Sequence, residues 1–301
     1  MDMDFSTGGL NAKEGRKSLF VALSGSPNVG KSSILNTLLG FKVAAVSYKP
    51  QTTRNSIRGI ITEEDTQIVF VDSPGFFSPK LELSKKIVKN AARVISDVQI
   101  VCVVIDAQKG LNKATKKLLE KCYDLKKVIV VVINKTDLVK PPLLLSLAQE
   151  AFSNKGVIDV LFTSCKEKRG FLLLKQYFLN KAEPDNWYYD SRHNTDRDVN
   201  FIAAEITREK LFLLLKNEVP YGTSVITTLV CKNKNKSIAI EQQIVIEREN
   251  HKSIIIGKSG LMLKEVCRRA TFDLEQILKT RVALSVSVKT QKGWVRDWDG
   301  F

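Results

Sequence analysis

Residues 25 to 32 read Gly-Ser-Pro-Asn-Val-Gly-Lys-Ser, between an apolar run, Leu19-Phe20-Val21-Ala22-Leu23, and a helix-like stretch, Ser32-Ser33-Ile34-Leu35-Asn36-Thr37-Leu38-Leu39. Few local patterns restrict a fold so strongly. A strand that ends in Gly-x-x-x-x-Gly-Lys-Ser and runs into a helix is the opening unit of a phosphate-binding α/β domain. Gly25 and Gly30 let the backbone of Ser26, Pro27, Asn28 and Val29 curl so that N–H groups point inward, where phosphate oxygens can sit. The helix that begins around Ser33 presents its positive end to the same place. Lys31 supplies a point charge for β- and γ-phosphates, and the Ser32 hydroxyl is the expected Mg²⁺ ligand. The pattern predicts a nucleoside triphosphate site.

The chain that follows fits such a domain. Strand candidates lie at Leu19–Ser24, Gln67–Asp72, Gln99–Ile105, Val128–Ile133 and Val157–Phe162, most of them continuous β-branched runs of the kind found in buried central strands. Helical stretches such as Ala114–Tyr123 and Pro142–Phe152 lie between several of them, which predicts a mostly parallel sheet with helices on both faces. Ligands of such sheets bind at the carboxyl ends of the strands, where the phosphate loop sits. With 301 residues there is room for two domains. The expected division is a lead-in at 1–16, the nucleotide domain at 17–182, a polar linker at 183–197 and a second domain at 198–301.

Three more motifs follow in order. Asp72-Ser73-Pro74-Gly75 closes the second strong strand, where an aspartate can hold a metal-bound water and the Gly75 N–H can reach a γ-phosphate. Asn134-Lys135-Thr136-Asp137 closes the strand Val128–Ile133. A carboxylate there accepts both the N1–H and the N2–H₂ donors of guanine, and adenine offers no such pair. Ser164-Cys165-Lys166 closes the next strand, where backbone can meet guanine O6.

This set resembles the Era-related group of translation-factor-like GTPases, with Gln51-Thr52-Thr53-Arg54 as the further match. The resemblance implies binding of GTP and GDP, hydrolysis of GTP, and a switch threonine on Mg²⁺ at Thr53, with Thr52 as the alternative. Asp-Ser-Pro-Gly stands where Asp-Thr-Pro-Gly is usual, and Cys165 stands where alanine is usual. Phe76 follows Gly75, where Ras-like enzymes carry the glutamine that orients water. The attacking water must then be held by backbone, another side chain or an ion. The resemblance implies that Asn28 helps bind K⁺ near the phosphates; the alternative is that Asn28 shapes the loop.

After the linker the pattern changes to helix, strand, strand, helix, glycine turn, helix, strand. Residues 252 to 260 read Lys-Ser-Ile-Ile-Ile-Gly-Lys-Ser-Gly. A Gly-x-x-Gly turn between helices in this order looks like a type II KH domain. Gly257 and Gly260 let a nucleic-acid backbone approach, Lys258 and Lys264 add charge, Ser259 completes the turn, and Ile255 and Ile256 are expected to floor a groove for unstacked bases. The stretches Arg208–Leu211, Glu218–Tyr221 and Ile244–Lys264 extend the Era resemblance over nearly the whole chain. Leu284–Val288 is less bulky than the usual final strand. The resemblance implies a partner, the 3′ end of 16S ribosomal RNA, and a role in maturation of the 30S small subunit. It implies a cytoplasmic monomer with peripheral association at the cytoplasmic face of the membrane. An RNA chaperone with incidental GTP hydrolysis is the alternative.

Charge and cysteine content agree. The formal net charge of +15 suits an acidic partner, nucleic acid or an anionic membrane surface. The surplus is not confined to one half: 17 basic and 12 acidic residues lie from Asp198 onward, against 30 and 20 before it. The five cysteines include no Cys-x-x-Cys pair, which fits a reducing compartment and not a zinc site. No apolar run approaches the ~20 residues that span a bilayer. His193 and His251 are expected at the surface or in packing, and Trp294 and Trp298 in packing of the C-terminus.

Overall fold

A computed structural model describes residues 15–49, 52–72, 94–234 and 236–294. The first unit begins with strand β1 (Lys17–Ser24) and helix α1 (Lys31–Leu39), and continues through β2 (Ile57–Glu63), β3 (Thr66–Asp72) and β4 (Ile100–Asp106). Helix α2 (Lys113–Asp124), β5 (Val128–Asn134), α3 (Pro141–Phe152), β6 (Val157–Thr163) and α4 (Phe171–Asn180) follow. The strands order as β2-β3-β1-β4-β5-β6. β1 lies parallel to β3 and β4, and β4–β5 and β5–β6 are parallel too. Only such a sheet, with helices on both faces, gives use to runs like Ile100–Asp106, in which every residue is buried.

The period of two sorts these residues between two cores. Leu19, Val21, Leu23, Cys102 and Val104 meet α1 and α4 through Ile34, Leu35, Leu174 and Phe178. Ala22, Val101, Val103 and Ile105 meet α2 and α3 through Leu118, Cys122, Leu147 and Ala151 on the other face. All five expected strands form. Four extend slightly beyond the expected run, and β4 is shifted by one residue, ending on Asp106.

Two elements were not expected. β2 forms an antiparallel hairpin with β3, Glu63 opposite Thr66. Gly59 in β2 passes so close to α1 that a Cβ there would stand 2.4 Å from Leu35 Cδ1. The segment 183–197 is also pinned down. Its first residues form β7 (Glu183–Pro184), antiparallel to β1. Gln67 Oε1 then accepts the backbone N–H groups of Tyr188 and Tyr189 at 2.9 and 3.0 Å, and Asn194 O accepts Ile60 N–H at 2.9 Å. The segment thus runs as a strap beside the hairpin.

The second unit comprises α5 (Val199–Leu214), β8 (Thr223–Lys232), β9 (Ile238–Ile246), α6 (Asn250–Ile256), α7 (Leu261–Leu278) and β10 (Val282–Thr290). Asp198 caps α5 by accepting Phe201 N–H at 2.8 Å. β9 is central, antiparallel to β8 and parallel to β10. Ile240, Ile244 and Ile246 on β9 bury against α5 and α7. α5 does double duty: its apolar residues join this core, while Glu205, Arg208, Glu209 and Lys210 are buried on another side, facing the first unit. Four consecutive or near-consecutive charged residues are buried only when each has a partner, and those partners bear on the site.

Candidate functional site

β1 delivers the phosphate loop at its carboxyl end. Gly25 and Gly30 adopt φ of +141° and +105°, a region that side-chain-bearing residues avoid. Added Cβ atoms would stand 2.4 Å from Val104 O and 2.2 Å from Asn134 Nδ2 respectively, so both glycines are required by approach as well as by conformation. Lys31 is buried and curls over the loop, donating to Gly25 O at 3.2 Å and Ser26 O at 3.0 Å. Burial pushes its ammonium down to about 8, against the attraction of Asp72. A phosphate arriving there restores the charge that burial disfavours.

Beside it lies a cluster of three oxygens. Ser32 Oγ is 2.8 Å from Thr53 Oγ1 and donates to Asp72 Oδ2 at 2.5 Å. Asp72 is fully buried, and its Oδ1 has no hydrogen-bond partner among the described residues. Burial pushes its carboxyl up to about 6, opposed by Lys31 and by the Ser32 hydrogen bond. Hydroxyl, hydroxyl and carboxylate oxygen are the hard donors Mg²⁺ takes, and an ionised carboxylate with one bare oxygen is what a bound cation would stabilise. The residues fit the ion. Thr53, not Thr52, reaches this corner; the Thr52 hydroxyl instead lies 2.6 Å from that of Ser47.

The guanine motifs are tied to the loop by a cross-brace. Asn134, at the end of β5, donates to Val29 O at 2.8 Å, and Thr163 donates to its Oδ1 at 3.2 Å. Lys135 Nζ reaches Asn28 O at 2.8 Å and pairs with buried Asp106 at 2.6 Å. Ser164 Oγ donates to Asp137 Oδ1 at 2.6 Å, fixing the carboxylate that the sequence motif assigns to a base. Cys165 Sγ lies 3.5 Å from Asn134 Oδ1. Burial raises the thiol to about 11, so it stays protonated and serves as a small donor. Asp106 and Thr163 were not expected; their only sequence signal is their place at the ends of β4 and β6. Ser33 lies in the first turn of α1, which begins at Lys31, and Lys166 follows in the loop after β6. Ser73, Pro74, Gly75 and Phe76 lie outside the described residues, as does Trp298.

A cavity of about 450 Å³ opens over the loop, walled by Gly30, Lys31 and Ser32 on one side and by Val46, Ser47, Thr52 and Thr53 on the other. Asn28 Nδ2 closes the gap between the walls by donating to Tyr48 O at 2.5 Å, an amide turned toward the second wall. That wall is part of the connection between α1 and β2, and its outer side is bonded to α5. Glu209 accepts Val46 N–H at 2.8 Å and pairs with Lys42 at 2.6 Å. Lys42 and Lys210 also meet Asp273 at 2.9 and 2.5 Å. Lys49 Nζ donates to the carbonyls of Phe212 and Leu215 at the end of α5. Within the charged row of α5, Glu209 is thus paired with the connection that forms the cavity wall, while Arg208 pairs with Glu205 and Lys210 with Glu209 and Asp273.

In the second unit, the turn between α6 and α7 holds Gly257, Ser259 and Gly260 at φ of +73°, +51° and +76°. A Cβ on Gly257 would stand 2.6 Å from Met262 Cβ, whereas space around Gly260 is open within 4 Å. Lys258 and Lys264 are exposed beside the turn. Ile255 departs from expectation. It is fully buried among Leu211, Val266 and Ile244 and cannot floor a groove. The helical period turns Ile254 outward instead, 48% exposed, next to the half-buried Ile256, and Leu261 is 64% exposed across the turn. His251 is buried and Trp294 is packed at 4% exposure.

Fold and site together define a P-loop GTPase domain followed by a KH domain. Residues 20–135 match the 50S ribosome-binding GTPase family and residues 218–295 match the KH domain family. The chain is 40% identical over 296 residues to GTPase Era of Brucella suis biovar 1 (strain 1330), covering 96% of this chain and 93% of that protein. It is 38% identical over 284 residues to GTPase Era of Thermoanaerobacter sp. (strain X514), covering 93% of each. A crystal structure of Era in complex with MgGDPNP and nucleotides 1506-1542 of 16S ribosomal RNA superposes with a TM-score of 0.87 at 32% identity, over 93% of this chain and 96% of that one. A crystal structure of an Aquifex aeolicus Era variant bound to GDP.AlF4- superposes with the same TM-score, identity and coverage. The chain belongs to the GTPase Era family, and it is a GTPase.

Proposed function

We propose that this chain is a nucleotide-controlled RNA-binding switch that binds GTP with Mg²⁺ in the cavity over residues 25–33, hydrolyses it, and binds the 3′ end of 16S ribosomal RNA through the turn at Gly257–Gly260. One observation carries the reading: the connection 42–54 has the Ser32–Asp72 corner on one side and helix α5 of the second unit on the other. A switch needs one element that both sites bias, and this connection touches the nucleotide site and the unit that carries the turn.

In this reading Gly25 to Gly30 cradle the phosphates with backbone N–H groups, and Lys31 and the end of α1 neutralise them. Asp137, held by Ser164, selects guanine. Mg²⁺, when bound, offsets the phosphate charge. Ser32, Thr53 and Asp72 are the oxygens that would hold it. The 3′ end of 16S ribosomal RNA is supported by the RNA in the related Era complex and by the left-handed Gly257–Gly260 turn flanked by Lys258 and Lys264. The domain limits 17–182 and 198–301 with a strap at 183–197, a cytoplasmic monomer acting on the 30S subunit, and contact of the basic surface with the cytoplasmic face of the membrane complete the proposal. Among the described residues no helix is long and apolar enough to cross a membrane.

The test is Gly257→Asp with Gly260→Asp. Two carboxylates in the turn repel phosphates, and the side chains obstruct their approach. Filter binding at fixed salt should show RNA affinity reduced at least about tenfold, with basal phosphate release unchanged. Unchanged RNA affinity in the folded variant removes the turn from the RNA site.

A further inference from the structure

Thr53 and Arg54 are neighbours in the chain and face different domains. Thr53 Oγ1 lies 2.8 Å from Ser32 Oγ, at the corner that Asp72 completes. Arg54 points away from that cavity and is 4% exposed. Its guanidinium sits in a socket: among the described residues, its direct partners all belong to the second domain. Nη1 donates to Thr223 O at 2.7 Å, and Nη2 donates to Pro220 O at 3.2 Å and Tyr221 O at 3.0 Å. Its Cζ lies 5.5 Å from the ring centroid of Phe212 on α5 and 5.8 Å from that of Trp294, beyond β10. Three separate segments of the KH unit thus converge on one side chain of the nucleotide domain.

The chemistry of the socket selects arginine. Three carbonyls spread over two nitrogens match a planar fork, and two aromatic rings match a flat, weakly hydrated cation. No carboxylate pairs with Arg54 among the described residues; the nearby Glu205 is engaged by Arg208 at 2.7 and 2.5 Å. A buried cation whose direct partners among the described residues are carbonyls and rings depends on those partners staying in place. If the KH unit shifts, the socket opens and Arg54 must leave it. Thr53 and Arg54 share one planar peptide unit, so a displacement of the Arg54 backbone is passed directly to Thr53.

We propose that Arg54 is a positioning residue for GTP hydrolysis: seated in the KH socket, it holds Thr53 at the Ser32–Asp72 corner, so that docking of the KH domain sets the fraction of molecules competent for catalysis. This rests on the nucleotide-site reading above and adds the residue through which the second domain acts. Linkage requires the converse: Mg·GTP, which engages Thr53, favours the seated socket and the docked KH domain. GDP, which lacks the γ-phosphate, is held by the loop and the guanine motifs and gains little from Thr53.

The experiment compares full-length wild type with Arg54→Lys, Arg54→Ala and Trp294→Leu. The last loosens the socket from the KH side without touching the nucleotide domain. GDP affinity, kcat for GTP, and the Mg²⁺ concentration giving half-maximal rate are measured for each. The expected result is GDP affinity within about twofold of wild type in all three variants. With Arg54→Ala, kcat falls at least about tenfold and the Mg²⁺ requirement rises severalfold; Arg54→Lys and Trp294→Leu move both in the same direction by less. Arg54→Lys keeps the charge and most of the volume, so it reports on the fork even if Arg54→Ala fails to fold. Wild-type kcat and Mg²⁺ dependence in the lysine and leucine variants overturn the proposal. So does a parallel fall in GDP affinity, which would make Arg54 a determinant of local folding alone. A wild-type protein that binds neither GDP nor GTP sinks the nucleotide-site reading itself, an outcome distinct from variants that match an active wild type.

Discussion

Asp72→Asn should make the nucleotide-free protein more stable while impairing its response to Mg²⁺. Asp72 ends β3 with 0% exposure, Ser32 donates to one carboxylate oxygen, and the other has no partner among the described residues. Burial lifts its pKa from 3.8 to about 6. Each tenfold change in the ionisation constant is about 1.4 kcal/mol, so keeping Asp72 ionised at pH 7 costs the fold about 3 kcal/mol. Asparagine removes that cost and still accepts from Ser32. It returns part of the gain, because its amide is left underbonded, at about 1 kcal/mol, and Lys31 loses an attractive neighbour. The balance is a gain of about 1–2 kcal/mol at pH 7. The sign with pH is fixed: a carboxyl raised on folding is a full liability above about 6 and none below the unfolded value. The asparagine variant's advantage must therefore shrink as pH falls from 7 toward 4. Urea unfolding of nucleotide-free wild type and variant at pH 7 and pH 4.5 measures it. Adding Mg²⁺ and a GTP analogue should then stabilise wild type much more than the variant. A variant less stable than wild type at pH 7, or one whose advantage ignores pH, refutes the reasoning.

Gly30→Ala should lower GTP affinity at least about thirtyfold, because a Cβ 2.2 Å from Asn134 Nδ2, at a φ of +105°, forces the loop and the cross-brace apart at a cost of about 2–4 kcal/mol; a titration within threefold of wild type contradicts this. Asp137→Asn should shift preference from guanine toward xanthine, since an amide donor then faces a carbonyl where guanine carries an amino group. Retained tight GTP binding with no gain for xanthosine triphosphate would remove Asp137 from the base site.

What was legible in the sequence followed from local rules. The parallel sheet could be read because central strands must be apolar on both faces, so Val128–Ile133 and Gln99–Ile105 stand out as continuous runs. The phosphate loop could be read because its glycines answer to φ and to close approach, both of which act over a few residues. β2 escaped notice because Arg58 and Gly59 interrupt its isoleucines, and its pairing is set by the neighbouring strand. The placement of Ile255 was misjudged because three adjacent isoleucines cannot be assigned to faces of a short helix without knowing where the core lies. The contact between domains was invisible for a different reason. Glu205, Arg208, Glu209 and Lys210 look like a solvated helix face, and only the fold reveals how they and the connection pair off. Lys42 and Lys210 each reach both Glu209 and Asp273, the latter 231 residues from Lys42 in the chain, while Val46 N–H meets Glu209 and Arg208 turns to Glu205. Arg54 matched a family pattern, but its carbonyl and ring partners lie more than 150 positions further on.

The central claim is that one connection, residues 42–54, serves both the nucleotide cavity and the KH unit. The most direct measurement is the affinity of the full chain for a fragment of the 16S ribosomal RNA 3′ end, by filter binding at one fixed salt concentration, with Mg²⁺ and a non-hydrolysable GTP analogue and again with Mg²⁺ and GDP. A coupling of about 1–3 kcal/mol, the range usual for linked sites, corresponds to affinities that differ by roughly 5- to 150-fold between the two states. Affinities equal within twofold would mean that the connection joins the two domains without carrying a signal between them.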